Sequence, residues 1–320
     1  MFHPEYILPP QREPKLEIGA NLGSFAPWIM ANQVGSITSR LKERGFQFVS
    51  TVPMRNIDKP SVLPVRYVED AWNPTQGSHV FGLWEVMQGK RAHDPLAPQF
   101  QDLLLFPDRQ RAGKMFRDTV AKNRGINVVT HNLFDAALTL SESGLVFKTL
   151  LEVNPGMTDL MGDQLTLDEL YRALGAARSV RGSQFREFAS PLSGVVFDTK
   201  HTRRGMRPDE IARISRPGQP VQDVLGGYQN VLRVLGPDVQ LIDFQALDPQ
   251  ELRDALNNRG TELADVLSDL ITQLPGVPIR LEIQLDPLDH FIPGRVMTQM
   301  LEAADFIKGL HGEIYPENKS

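Results

Sequence analysis

Four acids stand late in apolar runs of this chain: Glu152 in "KTLLEVN" (148–154), Asp198 in "GVVFDTK" (194–200), Asp243 in "VQLIDFQ" (239–245) and Glu282 in "IRLEIQL" (279–285). His201 follows Asp198 by three residues, and His131 stands at the end of "INVVTHN" (126–132). A buried, unpaired carboxylate is costly, so proteins pair such a group with a cation or spend it on a metal. Four of them converging would repel one another, and a divalent cation is the simplest compensation. Carboxylates around a metal can hold substrate oxygens and move protons next to a carbonyl.

Strands are needed to bring these residues together. Side chains alternate along a strand, so Glu152 shares a face with Leu150 and Asn154, Asp198 with Val196, and Asp243 with Leu241 and Gln245. Glu282 likewise shares a face with Arg280 and Gln284, and His131 with Val129. Further runs, "KLEIGA" (15–20), "FQFVSTV" (46–52) and "PVRYVED" (64–70), bring the strand count to eight. Segments of helical period separate most of them. In "ELADVLSDLITQL", Leu263, Val266, Leu267, Leu270, Ile271 and Leu274 follow the i, i+3, i+4 rule. "WIMANQVGSITSRLKERG", "TLDELYRALGAARSV", "DVLGGYQNVLRVLG" and "GRVMTQMLEAADFIKGLHG" read the same way, with Gly45, Gly125 and Gly236 at helix ends. Alternating strands and helices imply a parallel sheet, and eight pairs imply a single (β/α)8 barrel whose working residues sit at the C-terminal strand ends. The rival is an open doubly wound sheet, but no glycine-rich phosphate loop follows the first run. Residues 73–100 read as a loop insertion within one domain spanning 1–320.

"LLEVN", "FDTKH" and "LEIQ", in this order on late strands, resemble the xylose isomerase-like TIM-barrel superfamily, which includes sugar phosphate isomerases and epimerases and endonuclease IV-type enzymes. The resemblance implies metal ligands at Glu152, Asp198 and Glu282, with both glutamates also able to move a proton. It implies a place for His201 close to metal and substrate, and it aligns His131 with a histidine of the endonuclease IV-type members. Many members carry a histidine on the strand before the last, where this chain reads "LIDFQ". Asp243 is the best match there and Gln245 the second. An all-oxygen set of Glu152, Asp198, Asp243 and Glu282 favours Mg²⁺ or Mn²⁺ over Zn²⁺. The implied function is a metal-dependent isomerase or epimerase of a sugar or sugar derivative, working through an enediolate with Glu152, Glu282 and His201 as its catalytic groups. The alternatives are a metal-dependent phosphodiester hydrolase and a non-catalytic barrel that binds a carbohydrate or partner.

Each residue also has an ordinary reading. Glu282 and Glu152 can be salt-bridged, Asp243 can belong to a loop and start a helix, and His201 can be simply hydrogen-bonded. Arg203 and Arg204 suit a substrate phosphate or a solvated loop face. Glu17, Glu69 and Asp70 suit structural ion pairs. Asp286, Asp289 and His290 suit a substrate loop, and Trp28, Trp72 and Trp84 a sugar-facing wall or plain packing. With 320 residues and a net charge of −5, the chain gives no sign of a polyanion partner. The absence of cysteine removes thiolate chemistry. No run of about 20 apolar residues spans a membrane and the first residues lack a signal-peptide pattern, so a cytoplasmic protein is expected, with a homo-oligomer left open.

Overall fold

A computed structural model describes residues 13–25, 27–51, 61–69, 126–130, 148–157, 159, 163–180, 192–205, 222–246, 248–283 and 292–316. Eight strands are β1 (Ile18–Asn21), β2 (Phe48–Thr51), β3 (Val65–Glu69), β4 (Asn127–Thr130), β5 (Lys148–Val153), β6 (Leu192–Asp198), β7 (Val239–Phe244) and β8 (Ile279–Leu281). All neighbours are parallel, and β8 pairs with β1 to close the barrel in chain order. Each strand falls within or overlaps one of the eight apolar runs, and closure removes the open-sheet alternative. Parallel strands buried on both faces have no polar face to betray them, which is why they read as short continuous apolar runs.

The helices among the described residues are α1 (Pro27–Glu43), α2 (Leu167–Val180), α3 (His201–Arg204), α4 (Tyr228–Leu235), α5 (Pro249–Asn257), α6 (Glu262–Gln273) and α7 (Pro293–Ile314). In α6 the expected stripe is buried, and Thr261 Oγ1 accepts from the Ala264 amide at 3.4 Å to cap the first turn. Gly45 ends α1 at φ 83° as a left-handed cap, whereas Gly236 has φ −47° and continues into a short 3₁₀ turn. The helix expected from 223 starts only at Tyr228, because Gly226 and Gly227 take φ 62° and 85°. α5 was not expected. Asp248 accepts from the Gln250 and Glu251 amides at 2.9 Å, and Pro249 follows it, a strong start signal hidden in "ALDPQEL". The helix-starting aspartate of that segment is therefore Asp248, and Asp243 lies inside β7. No described helix is long and apolar enough to cross a membrane. The expected insertion at 73–100, together with Gly125, lies outside the described residues.

Two apolar layers follow from strand alternation. Ile18, Val49, Leu151, Val153, Val195, Phe197, Ile242, Phe244 and Leu281 join the helices in the outer core. Phe48, Tyr67, Val129, Leu150, Val196 and Leu241 form a second buried cluster inside the barrel. One step of two residues further along β2, β3, β5, β6 and β7 come Ser50, Glu69, Glu152, Asp198 and Asp243. The interior thus turns from apolar to acidic at one level.

Gly19 makes room for that interior. A Cβ at this position would lie 2.1–2.4 Å from the Phe48 ring, which packs edge-on to Tyr67 with centroids 5.4 Å apart. Gly19→Ala is expected to destabilise the fold by about 1–3 kcal/mol through overpacking, read as a lower urea midpoint. Phe48→Leu in the same chain should recover part of that loss, and no loss in the single variant would refute the close approach.

Candidate functional site

The turn after β6 explains the spacing of Asp198 and His201. Asp198 Oδ1 accepts from the amides of Lys200 and His201, both at 2.7 Å, so the aspartate winds the chain straight into α3. Thr202 Oγ1 donates to the Asp198 carbonyl at 2.5 Å, and Gly205 closes the turn at φ 72°. Thr199 Oγ1 donates to the Gln245 carbonyl and accepts from the Gln245 amide, each at 2.8 Å, locking the ends of β6 and β7 together. With Oδ1 used on backbone amides, Asp198 Oδ2 is left buried with no hydrogen-bond partner among the described residues.

Glu152 from β5, Asp198 from β6 and His201 from α3 meet around that oxygen. Each offers one ligand atom, these atoms lie within 4.8 Å of one another, and all three residues are buried. Two carboxylates and an imidazole suit a divalent transition ion, and a buried oxygen without a partner is what such an ion would satisfy. The donor set fits a metal. Burial, and the nearby charges of Glu152 and Asp243, push the Asp198 carboxyl well above the usual carboxylate range.

Opposite this group lies a cation that belongs to the chain. Arg280, on β8, is wholly buried. Its Nε donates to Asp243 Oδ1 at 3.1 Å and its Nη2 to Asp243 Oδ2 at 2.5 Å, a bidentate fork. Nη1 donates to Ser50 Oγ at 3.1 Å and to Glu69 Oε1. Nη2 also lies 3.9 Å from both Glu152 Oε2 and Glu282 Oε2. The same guanidinium nitrogen therefore faces both glutamates expected to move protons. The register explains the fork: β7 and β8 set Asp243 directly beside Arg280.

The expected site residues sort as follows. Glu152, Asp198 and His201 come together; Glu282, expected as a fourth ligand, is not part of that group, and its Oε2 accepts from Asn21 Nδ2 at 2.8 Å. Asp243 faces the same interior, but both of its oxygens are engaged by Arg280. Gln245 is buried, its Nε2 3.4 Å from Asp243 Oδ2. The Arg203 side chain is buried and held within the chain, although Arg203 lines the cavity that His201 and Arg204 share. Its Nη1 and Nη2 donate to Glu251 at 2.7 and 3.2 Å and its Nε to the Thr199 carbonyl at 2.6 Å, tying α3 to α5. Arg204 is exposed and, with His201, Gly205 and Gly227, lines a cavity of about 230 Å³ beside the Glu152–Asp198–His201 group. Glu69 and Glu17 do sit in ion pairs, with Arg280 and Arg66 respectively. His131, Asp70, Gln284, Asp286, Asp289, His290, Trp72 and Trp84, and the side chain of Trp28, lie outside the described residues. Sequence reading passed over Asn21 and Ser50. Their signal was a polar residue two places beyond an inward-facing Gly19 or Phe48.

No protein-family model matches the chain, and no curated protein matches it. Solved structures do match. D-allulose 3-epimerase from Methylomonas sp. is 12% identical, covering 95% of this chain and 100% of that one at a TM-score of 0.37. Dihydropteroate synthase from Xanthomonas albilineans is 11% identical, with 90% and 92% covered at 0.38. A sugar phosphate isomerase/epimerase from Parabacteroides distasonis is 8% identical, with 91% and 96% covered at 0.39. Likeness at this level assigns no activity, and the barrel stands on its own strand pairing.

Burial and the Asp243 charge also push the Glu282 carboxyl up to about 8, against the pull of Arg280. A carboxyl raised in the folded state stabilises the fold fully below its unfolded pKa of 4.5, and that contribution is lost as pH rises through about 8. The metal-free protein should therefore melt at a lower temperature at pH 8.5 than at pH 6. Glu282→Gln should flatten part of that slope, and a melting temperature rising across this window would contradict the assignment.

Proposed function

We propose that the barrel mouth holds a divalent cation and that the protein is a metal-dependent isomerase or epimerase of a small sugar or sugar derivative, working through an enediolate. The observation that carries this reading is the Glu152–Asp198–His201 group gathered around the unpartnered Asp198 Oδ2. The resemblance of "LLEVN", "FDTKH" and "LEIQ" to xylose isomerase-like barrels supports it. Glu152, Asp198 and His201 are the residues to hold the cation, and with an imidazole in the set Mn²⁺ suits them better than Mg²⁺. When bound, the cation supplies positive charge that orients the substrate's carbonyl and hydroxyl oxygens and offsets the enediolate charge.

The chain's own groups then divide the proton work. Glu282 carries a carboxyl that exchanges its proton near neutral pH, and Asn21 fixes its orientation. It takes the proton from the substrate carbon. Glu152, also 3.9 Å from Arg280 Nη2, returns the proton. Inward-facing apolar side chains beneath the site keep water out from below. His201 Nε2 or Nδ1 hydrogen-bonds a substrate hydroxyl where it does not serve as a ligand.

The non-catalytic reading draws support from Arg280, since a guanidinium neutralises Asp243 and Glu69 without any metal. It does not account for Asp198 Oδ2. No observation among the described residues favours phosphodiester hydrolysis.

A Mn²⁺ melting titration separates these readings. The parent protein should gain stability by mass action, and Asp198→Asn should lose that gain. Asp243→Asn should be destabilised by about 3–5 kcal/mol because Arg280 loses a buried partner, yet should keep its Mn²⁺ shift. A parent with no shift at millimolar Mn²⁺, Mg²⁺ or Zn²⁺ would sink the metal reading. Given a metal response, Glu282→Gln should keep it but slow deuterium wash-in at the carbon beside the carbonyl of a responding sugar by about 10²–10⁴-fold. Unchanged exchange would remove Glu282 from the proton path.

A further inference from the structure

The cavity beside the Glu152–Asp198–His201 group has no part in the proton work described above. At about 230 Å³ it is smaller than the roughly 300–1,000 Å³ of a site that encloses a whole drug-sized ligand. It suits one end of a molecule whose other end lies at the metal group. Its walls are held in place. Gln164 Nε2 donates to the carbonyls of Pro155 and Gln222 at 2.9 and 2.7 Å, and its Oε1 accepts from the Gln222 amide at 3.1 Å, clamping two sides of the cavity together. Gly205 and Gly227, at φ 72° and 85°, line it without side chains, and a Cβ on Gly227 would meet nothing within 4 Å. The charged side chains along it, apart from His201, are Arg203, Arg204 and Asp223. Arg203 is neutralised by Glu251. Asp223 turns Oδ1 onto the amides of Leu225 and Gly226, at 3.1 and 3.4 Å. Arg204 is exposed, and its guanidinium has no ion pair among the described residues.

We infer that the substrate carries an anionic group, a phosphate or a carboxylate, and that Arg204 binds it in this cavity. This inference deepens the proposed function, on which it rests for the substrate's reacting end, but the anion site itself needs no metal. The spacing in α3 supports it. Residues three apart on a helix face the same way, with Cβ atoms about 5–6 Å apart. Arg204 therefore stands one turn beyond His201, and both line the same cavity. A substrate whose reacting oxygens sit beside His201 presents its far end to Arg204. A guanidinium fork matches the paired oxygens of a phosphate or carboxylate. A neutral sugar would leave that charge unanswered, and a cationic one would be repelled by it. Asp223 limits the attraction, because its own negative charge lines the same cavity.

The experiment is a melting titration of the full-length protein in EDTA with inorganic phosphate and with acetate, each against chloride at equal ionic strength. It is made on the parent, Arg204→Met and Asp223→Asn. At least one of the two anions, at tens of millimolar, should raise the melting temperature of the parent by about 2–4 °C through mass action. General salt effects on stability are common to all three proteins and subtract out. Arg204→Met should lose the rise. Because Arg204 is exposed, that variant should melt with the parent in chloride. Asp223→Asn removes the opposing charge while its Oδ1 can still accept the two amides, so it should enlarge the rise. A response to phosphate alone assigns a sugar phosphate, a response to acetate alone assigns a sugar acid, and a response to both upholds the inference for either group. No response to either anion, an equal response in Arg204→Met or a smaller one in Asp223→Asn overturns the inference. Since metal is excluded, the outcome is separate from that of the Mn²⁺ titration. A protein with the anion rise and no Mn²⁺ shift keeps the anion site and loses the metal reading, and the converse result loses the anion site alone.

Discussion

The Arg280 guanidinium, buried inside the barrel, makes the described interior possible. Arg280 is fully buried, and an isolated charge there would cost far more than a domain's whole net stability. It is tolerated because Asp243 accepts two of its hydrogen bonds and Glu69 and Ser50 accept others. The dependence runs both ways: without Arg280, neighbouring strands would bring several carboxylates together in a region sealed from below by Phe48, Tyr67, Val129, Leu150, Val196 and Leu241. The pull of Asp243 and Glu69 holds the Arg280 proton even more firmly than usual. Burial nonetheless raises the Asp243 carboxyl, because desolvation outweighs the attraction of its partner. A lysine would not serve, since a point charge cannot fork onto Asp243 while reaching Glu69.

That arrangement makes the site asymmetric. On one side two carboxylates, Asp243 and Glu69, share a guanidinium of the chain. On the other, Glu152, Asp198 and His201 remain with one buried oxygen unpartnered. The asymmetry comes from a small local device. Asp198 spends one oxygen on the amides of Lys200 and His201, which both forms α3 and turns His201 toward the carboxylates. The same turn carries Arg203 outward to Glu251, so α3 is anchored to α5 as well as to β6. The site is thereby set on a short, doubly fixed segment between rigid strands, as a precise constellation requires.

Much of this architecture was legible in the residues. Buried parallel strands need apolar side chains on both faces, so each of the eight survived as a compact apolar run. The burial of Leu263, Val266, Leu267, Leu270 and Ile271 followed from spacing alone. Glu152, Asp198 and His201 were legible for a related reason: a charged group late in an apolar strand has to be explained by a partner or a ligand. α5 was missed because nine residues with few apolar positions show little period, although Asp248–Pro249 marked its start. The start of α4 was misplaced because the positive φ of Gly226 and Gly227 is a backbone property that apolar periodicity does not register.

The chain by itself determined which residues face inward and which acids end the strands, because strand alternation is a local property of two residues. It did not determine who pairs with whom across the barrel. Arg280 and Glu282 share a face, and that neighbouring pair does lie at 3.9 Å, but the hydrogen bonds of the guanidinium go elsewhere. In the folded barrel the arginine reaches Asp243, 37 positions away in the chain, and Glu69, 211 positions away. Only closure of β8 onto β1, and the stagger of parallel strands around the ring, decides which strand-end residues share a level. The same closure sets Asn21 against Glu282 across 261 positions. The choice between Asp243 as a free ligand and Asp243 as a partner of Arg280 is therefore a tertiary one: it rests on long-range register, which no window of sequence contains.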